Sequence, residues 1–168
     1  PDMRVRQKSQ FELVKRSAEE ALMASAQPGE NQLKRLHSIW GLGQLARKEE
    51  ALLTGISTFL TDEDAEVRAQ TVKVLSDSRN TEMGTLLEPL LNDPSARVKS
   101  FAAIGVGKCG NVPALPTLFK ILAANDNQDQ FLRHSVVQGM WYLNEREKIL
   151  KEVKNESEGV RMGALLFL

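Results

Sequence analysis

Cysteine, aromatic rings and surplus charge are all scarce in this chain. One cysteine, Cys109, stands among 168 residues. An internal disulfide and a CxxCH haem attachment are therefore excluded within the chain, and a thiolate zinc site is disfavoured. The compartment stays open, because an oxidising one tolerates a cysteine-poor protein. Phe, Trp and Tyr make up only 5%, which suits helices packed through Leu, Val and Ala. Basic and acidic residues number 22 each, so the formal net charge is zero. A nucleic-acid binder usually needs a net basic face to release counterions, so the balance argues against one. The same reasoning disfavours an electrostatic membrane-surface binder. No apolar run approaches ~18 residues, and no membrane insertion is expected. The only histidines, His37 and His134, have no second His at i+3 or i+4 and no partner Cys. Neither a metal nor any other cofactor is expected. No G-x-S-x-G, P-loop or H-E-x-x-H string occurs, and no catalytic residue is assigned.

What the chain does have is a period. A basic residue recurs as Arg6, Arg35, Arg68, Lys99, Arg133 and Arg161, at intervals of 28 to 34 residues. Val or Leu precedes five of the six (Val5, Val67, Val98, Leu132, Val160), with Lys34 the exception. Six residues before four of them sits a helix-capping type: Asp62, Asp93, Asn127 and Asn155. Self-similarity at this period signifies stacked supersecondary units. Each unit reads as two helices. The first, A, carries apolar residues at helical spacing, as in Leu53, Ile56, Phe59 and Leu60, then Met83, Leu86, Leu87, Leu90 and Leu91, then Leu115, Leu118, Phe119 and Leu122. A polar turn follows, and helix B opens on the basic signature. The spacing predicts B helices over 3–15, 31–46, 65–77, 95–109, 129–143 and 157–168, and A helices over 17–27, 50–60, 80–92, 112–124 and 145–154. Pro94 suits a first helical turn.

Aligned on the basic residue, the B helices give columns. Three, four and seven positions after it stand small or apolar residues, including Ile39, Leu42, Val72, Leu75, Val106, Met140, Leu165 and Leu168, and these are the expected core. Glycine recurs six after it (Gly41, Gly105, Gly139) and eight after it (Gly43, Gly107). Glycine inside a helix costs roughly 0.5–1 kcal/mol against Ala, so its recurrence in one column predicts close approach of neighbouring helices. Gly105-Val106-Gly107 and Gly41-Leu42-Gly43 lie inside helices, where their N–H groups are already used, and are not phosphate loops.

Helical pairs of this length with an Asp-x5-Arg signature resemble HEAT-like repeats, and the match runs over essentially the whole chain. The resemblance implies an all-α fold, a right-handed α-solenoid of about five helix pairs open at both ends, forming one domain over 1–168. It also implies a structural ladder of Asp62 with Arg68 and Asp93 with Lys99, acid and base bonding within or between neighbouring units, with Asn127–Arg133 and Asn155–Arg161 keeping the hydrogen-bonding logic without the charge. Gly29 stands where Arg35's capping residue is expected, so that turn should differ. A narrower resemblance lies in 35–46 (RLHSIWGLGQLA), 5–13 (VRQKSQFEL) and 132–135 (LRHS). These strings are similar to ones in large bacterial membrane-bound, sugar-dehydrogenase-like chains with a β-propeller, a HEAT-like arm and a c-type haem domain. On that resemblance this chain is the arm, cut from a longer protein and periplasmic; without it, a cytoplasmic setting is expected. HEAT-type di-iron hydroxylases use paired His-Glu dipeptides, whereas both histidines here precede serines.

Function is expected on the concave side, which the B helices line in HEAT-like stacks. Its exposed columns are two, five and nine after the basic residue. They give His37, Trp40, Gln44, Gln70, Lys73, Phe101, Ile104, Lys108, Gln138 and Tyr142, with Ser135 alongside. Trp141 is assigned to the core. Large apolar groups where solvent is expected mark an interaction surface, and Trp and Tyr are favoured anchors; packing between units is the competing reading. Cys109 reads as a small filler near a helix end, with Lys108 the only group to activate it. The expectation is a non-catalytic scaffold that binds a protein or another domain of its parent chain. The alternatives are an enzyme on the same fold, bilin-lyase-like or DNA-glycosylase-like, and a passive spacer.

Overall fold

In the computed structural model, which describes residues 2–168, eleven α-helices stack as alternating A and B layers and no strand occurs. They are α1 (Met3–Lys15), α2 (Glu19–Ala26), α3 (Gln32–Ala46), α4 (Leu52–Ser57), α5 (Ala65–Asp77), α6 (Thr81–Leu87), α7 (Ala96–Lys108), α8 (Leu115–Asn125), α9 (Gln130–Leu143), α10 (Arg146–Lys151) and α11 (Glu158–Leu166). The odd-numbered helices are the B helices. Three A helices tighten into 3₁₀ turns as they end, at Thr58–Thr61, Glu88–Asn92 and Glu152–Lys154, a common way to satisfy terminal carbonyls.

The turns repeat one device. Asp62, Asp93 and Asn155 do not cap the B helices themselves. Each accepts the backbone N–H two residues on, from Asp64 (2.9 Å), Ser95 (2.8 Å) and Ser157 (2.9 Å). Those three residues are the N-caps, accepting from Glu66, Val98 and Val160 in turn. This side-chain turn aims the chain into the helix while supplying its orphan donors. Pro94 therefore sits just ahead of the Ser95 cap, not in the first helical turn. The fourth unit departs: Asp126 and Asn127 both adopt positive φ, and Asn125 takes over by accepting the Asp129 N–H at 3.1 Å.

One contiguous core runs through the stack. The expected columns fill it, including Ile39, Leu42, Val72, Leu75, Ala102, Val106, Val136, Met140 and Ala164. Buried hydroxyls in the same columns donate to carbonyls four residues back, as Thr71 to Val67 and Ser38 to Lys34. Leu86, Leu165 and Leu168, expected in the core, are exposed. Leu165 lies on α11 and Leu168 just beyond its end.

Adjacent B helices pack along their length, and adjacent A helices barely meet. The stack therefore bends with the B layer inside. Glycine sets that spacing. The residue eight after the basic position on one B helix faces the residue six after it on the next, and one of the two is always small. A Cβ on Gly41 would lie 3.5 Å from Val14, and one on Gly43 only 2.6 Å from Val74. Gly105 faces Ser76, and Gly107 lies against the backbone of Gly139, where a Cβ would approach its Cα to 2.7 Å. The next pairing would set Trp141 against Phe167, two large rings. There the rule breaks: α11 leans instead on α8, with Gly159 and Gly163 seated on Leu122. Trp141, assigned to the core from its sequence position, stays 64% exposed for this reason.

Candidate functional site

The inner face is ordered by side chains that reach from one B helix to the next. His37 Nδ1 shares a hydrogen bond with Gln10 Oε1 at 2.7 Å, and its ring meets Trp40 edge-on with centroids 4.9 Å apart. Trp40 Nε1 donates to Gln70 Oε1 at 2.9 Å. Gln70 donates to Glu66 at 2.8 Å, and Glu66 pairs with Arg97 at 2.7 Å. Arg97 then lies 5.1 Å over the Phe101 ring. This chain of contacts crosses α1, α3, α5 and α7. Farther along the same helices, Lys108 pairs with Asp77 at 2.8 Å. Burial outweighs all else at His37 and pushes its pKa below the ordinary imidazole value, with Arg6 adding repulsion.

The expected surface residues are thus brought to one face, in three states of burial. Lys73 is exposed, and Trp40, Gln44, Ile104, Lys108, Gln138, Tyr142, His37 and Phe101 are half-buried. Gln70 and Ser135 are buried. Trp40 and Phe101 pack partly against the core and stay partly exposed, so each has a buried edge and a wet edge. Sequence reasoning missed Phe131 and Trp141 on α9, 84% and 64% exposed, with Trp141 edge-on to Tyr142 at 5.6 Å. Phe131 occupies the column of Leu33, Glu66 and Arg97, which would have disclosed it.

The ladder residues meet, with partners shifted by one unit. Arg35 holds Asp62 with both terminal nitrogens and donates to the Ala26 carbonyl at 2.8 Å. Arg68 holds both oxygens of Asp93 at 2.8 and 2.9 Å, and also the Asp62 carbonyl at 2.7 Å. Of the two arrangements expected, the carboxylates take the one between neighbouring units, and within a unit Arg68 meets Asp62 only at its backbone carbonyl. Burial raises the Asp93 pKa, but the Arg68 hydrogen bond, the Ser95 N–H and nearby charge outweigh it and leave the carboxyl below its usual value. Lys99 makes no ion pair among the described residues. Arg133 reaches Asn127 Oδ1 at 3.3 Å, and Arg161 reaches the Asn155 carbonyl at 2.8 Å. Cys109 is buried, and burial pushes its thiol up to about 11 despite Lys108. His134 is exposed.

This architecture defines an α-solenoid of helix pairs, and a family model described as HEAT repeats matches residues 53–141. The chain belongs to that family. Among solved structures, it is similar to a chain in the complex of CpcE and CpcF, a phycocyanin lyase from Nostoc (21% identity, TM-score 0.67). That match covers 87% of this chain and 62% of the other, so the chain spans under two thirds of it. It is also similar to an engineered protein (14% identity, TM-score 0.56, 96% and 82% covered). At these identities the likeness is one of fold. No curated protein matches.

Proposed function

We propose that this chain is a non-catalytic scaffold that binds another polypeptide through the inner B-helix face. The observation that carries it is the set of aromatic rings along that face, Trp40, Phe101 and Tyr142 half-buried and Phe131 and Trp141 exposed. Trp40 is fixed by its bond to Gln70 and Phe101 by Arg97. Rings already held in one geometry lose little entropy on binding, and such anchors dominate interface energies. The neighbouring solved chain is itself one half of a two-protein complex, which agrees with a protein partner. Affinity capture from source cells with Trp141→Ser and Trp40→Ala variants tests this. Both should lose the partner that the wild-type chain retains; capture unchanged in both would sink the reading.

A second reading takes the neighbour's activity. The phycocyanin lyase likeness favours a bilin-lyase-like role. Incubation with a bilin and apo-phycocyanin, followed by denaturing electrophoresis, would show covalent colour on the acceptor if this role holds. As the arm of a haem-bearing dehydrogenase-like chain, the native protein would run far larger than 18.7 kDa and carry a Soret band.

A further inference from the structure

The two filled rungs of the ladder show what an unfilled one lacks. At the first, a cleft between successive turns is lined by Gln27, Pro28, Arg35, Phe59 and Asp62, with the Asp62 carboxylate seated on Arg35. At the second, the Asp93 carboxylate sits on Arg68. At the third, the equivalent cleft holds Leu91 and Asn92 where the first has Gln27 and Pro28, and Lys99 where it has Arg35. Its volume is about 490 Å3. Lys120 joins Lys99 on its wall, Ile121 and Leu132 contribute apolar surface, and Asn125 and Gln128 complete the rim. No carboxylate lines it. The residue in register with Asp62 and Asp93 is Asn127, left-handed in backbone and bonded to Arg133. The nearby acids bond elsewhere: Asp93 is held by Arg68, with Lys99 close enough to act on it only through its charge, and Asp129 accepts from the N–H groups of Phe131 and Leu132. Among the described residues neither Lys99 nor Lys120 has a hydrogen-bond or ion-pair partner.

We propose that this cleft takes an Asp or Glu side chain of a partner polypeptide, flanked by apolar residues, in the place the chain's own aspartates take at the two preceding rungs. Two ammonium groups supply the charge that one guanidinium supplies at Arg35, and the apolar wall selects leucine-like neighbours over free anions. The site is on the turn edge and stands apart from the inner face, so it does not depend on the function proposed above.

The test is a titration of the ¹⁵N-labelled chain with the peptides acetyl-Leu-Glu-Leu-amide and acetyl-Leu-Gln-Leu-amide, and separately with sodium phosphate. The acidic peptide should saturate shifts at the amides of Lys99, Asn125, Gln128 and Leu132. The glutamine peptide, and the acidic peptide on Lys99→Gln or Lys120→Gln, should bind at least about tenfold more weakly, the scale of one charged hydrogen bond. Unchanged helical circular dichroism would show both variants folded. Equal binding of the two peptides, or no effect of either lysine, overturns the proposal. So would phosphate reproducing the same shifts at the same concentration, which would leave a small-anion site, or shifts confined to the inner face.

Discussion

Gly139→Ala isolates the force that holds the B layer together. A Cβ at this position would lie 2.9 Å from the Ala103 carbonyl carbon and closer still to its oxygen. Ordinary carbon contacts stand at about 3.5–4.0 Å. The obstacle is backbone on both sides, so no rotamer change relieves it, and α7 and α9 must separate by roughly the shortfall. Overpacking of this kind costs up to about 3 kcal/mol. Alanine returns about 1 kcal/mol through helix propensity, which leaves a net loss of about 2 kcal/mol. For a chain of this size that lowers Tm by roughly 4–8 °C. Because stacked units are stabilised through neighbour interfaces, the melt should also broaden or split at the α7–α9 joint. Gly55→Ala is the control: its Cβ would meet only the Met23 methyl at 3.4 Å, and it should stabilise by up to about 1 kcal/mol. Thermal melts by circular dichroism read both. If Gly139→Ala melts as high as Gly55→Ala, close approach is not what the glycine column provides.

Arg35→Met would strand the Asp62 carboxylate, whose side chain is 5% exposed. It should cost about 3–5 kcal/mol, against about 0.5 or less for Lys148→Ala at the exposed Glu145 pair; urea titration compares them. Cys109, with its thiol near 11, should react with a disulfide reagent at pH 8 roughly a hundredfold more slowly than a free thiol and at full rate in denaturant. His37 has a folded pKa below its unfolded 6.5. Just below pH 6.5 the unfolded chain therefore takes up a proton that the folded one refuses, so stability should fall with pH through that window. Denaturation at pH 7.5 and 5.5 should show the slope, and His37→Gln should reduce it.

The helices were legible because each unit repeats the same local chemistry: the apolar columns, the Asp or Asn turn and the basic residue all mark the same boundary. The glycine columns announced the close B-layer packing that Gly107 and Gly139 display. Partner assignments were less legible. Asp62 precedes Arg68 by six residues, yet Arg35 of the preceding unit reaches it, since sequence proximity does not register contact across stacked units. The half-buried state of Trp40 and Phe101 also escaped a binary inside-or-outside reading. Each ring is amphipathic in its setting, and only the neighbouring helix decides which edge is covered.

Trp141 shows how far the same logic extends. Its column holds Val14, Gly43, Ser76 and Gly107 on earlier helices, each matched with a partner that keeps the pair small. Gly43 can face Val74, and Val14 can face Gly41, but no such compensation exists between Trp141 and Phe167. The register rule therefore predicts from sequence that the regular B layer stops after α9, and the shift of α11 onto α8 is the physical answer. The ring left uncovered stands beside Tyr142 and on the helix that also exposes Phe131. The feature that ends close packing inside the chain thus also leaves a large apolar ring free for packing against something else. Replacing Trp141 with Gly would separate the two roles: the pair rule would then be met, and α11 should move toward α9. An added Trp141–Phe167 width cannot be the cause if a cross-link between cysteines placed at 138 and 164 forms no faster in that variant.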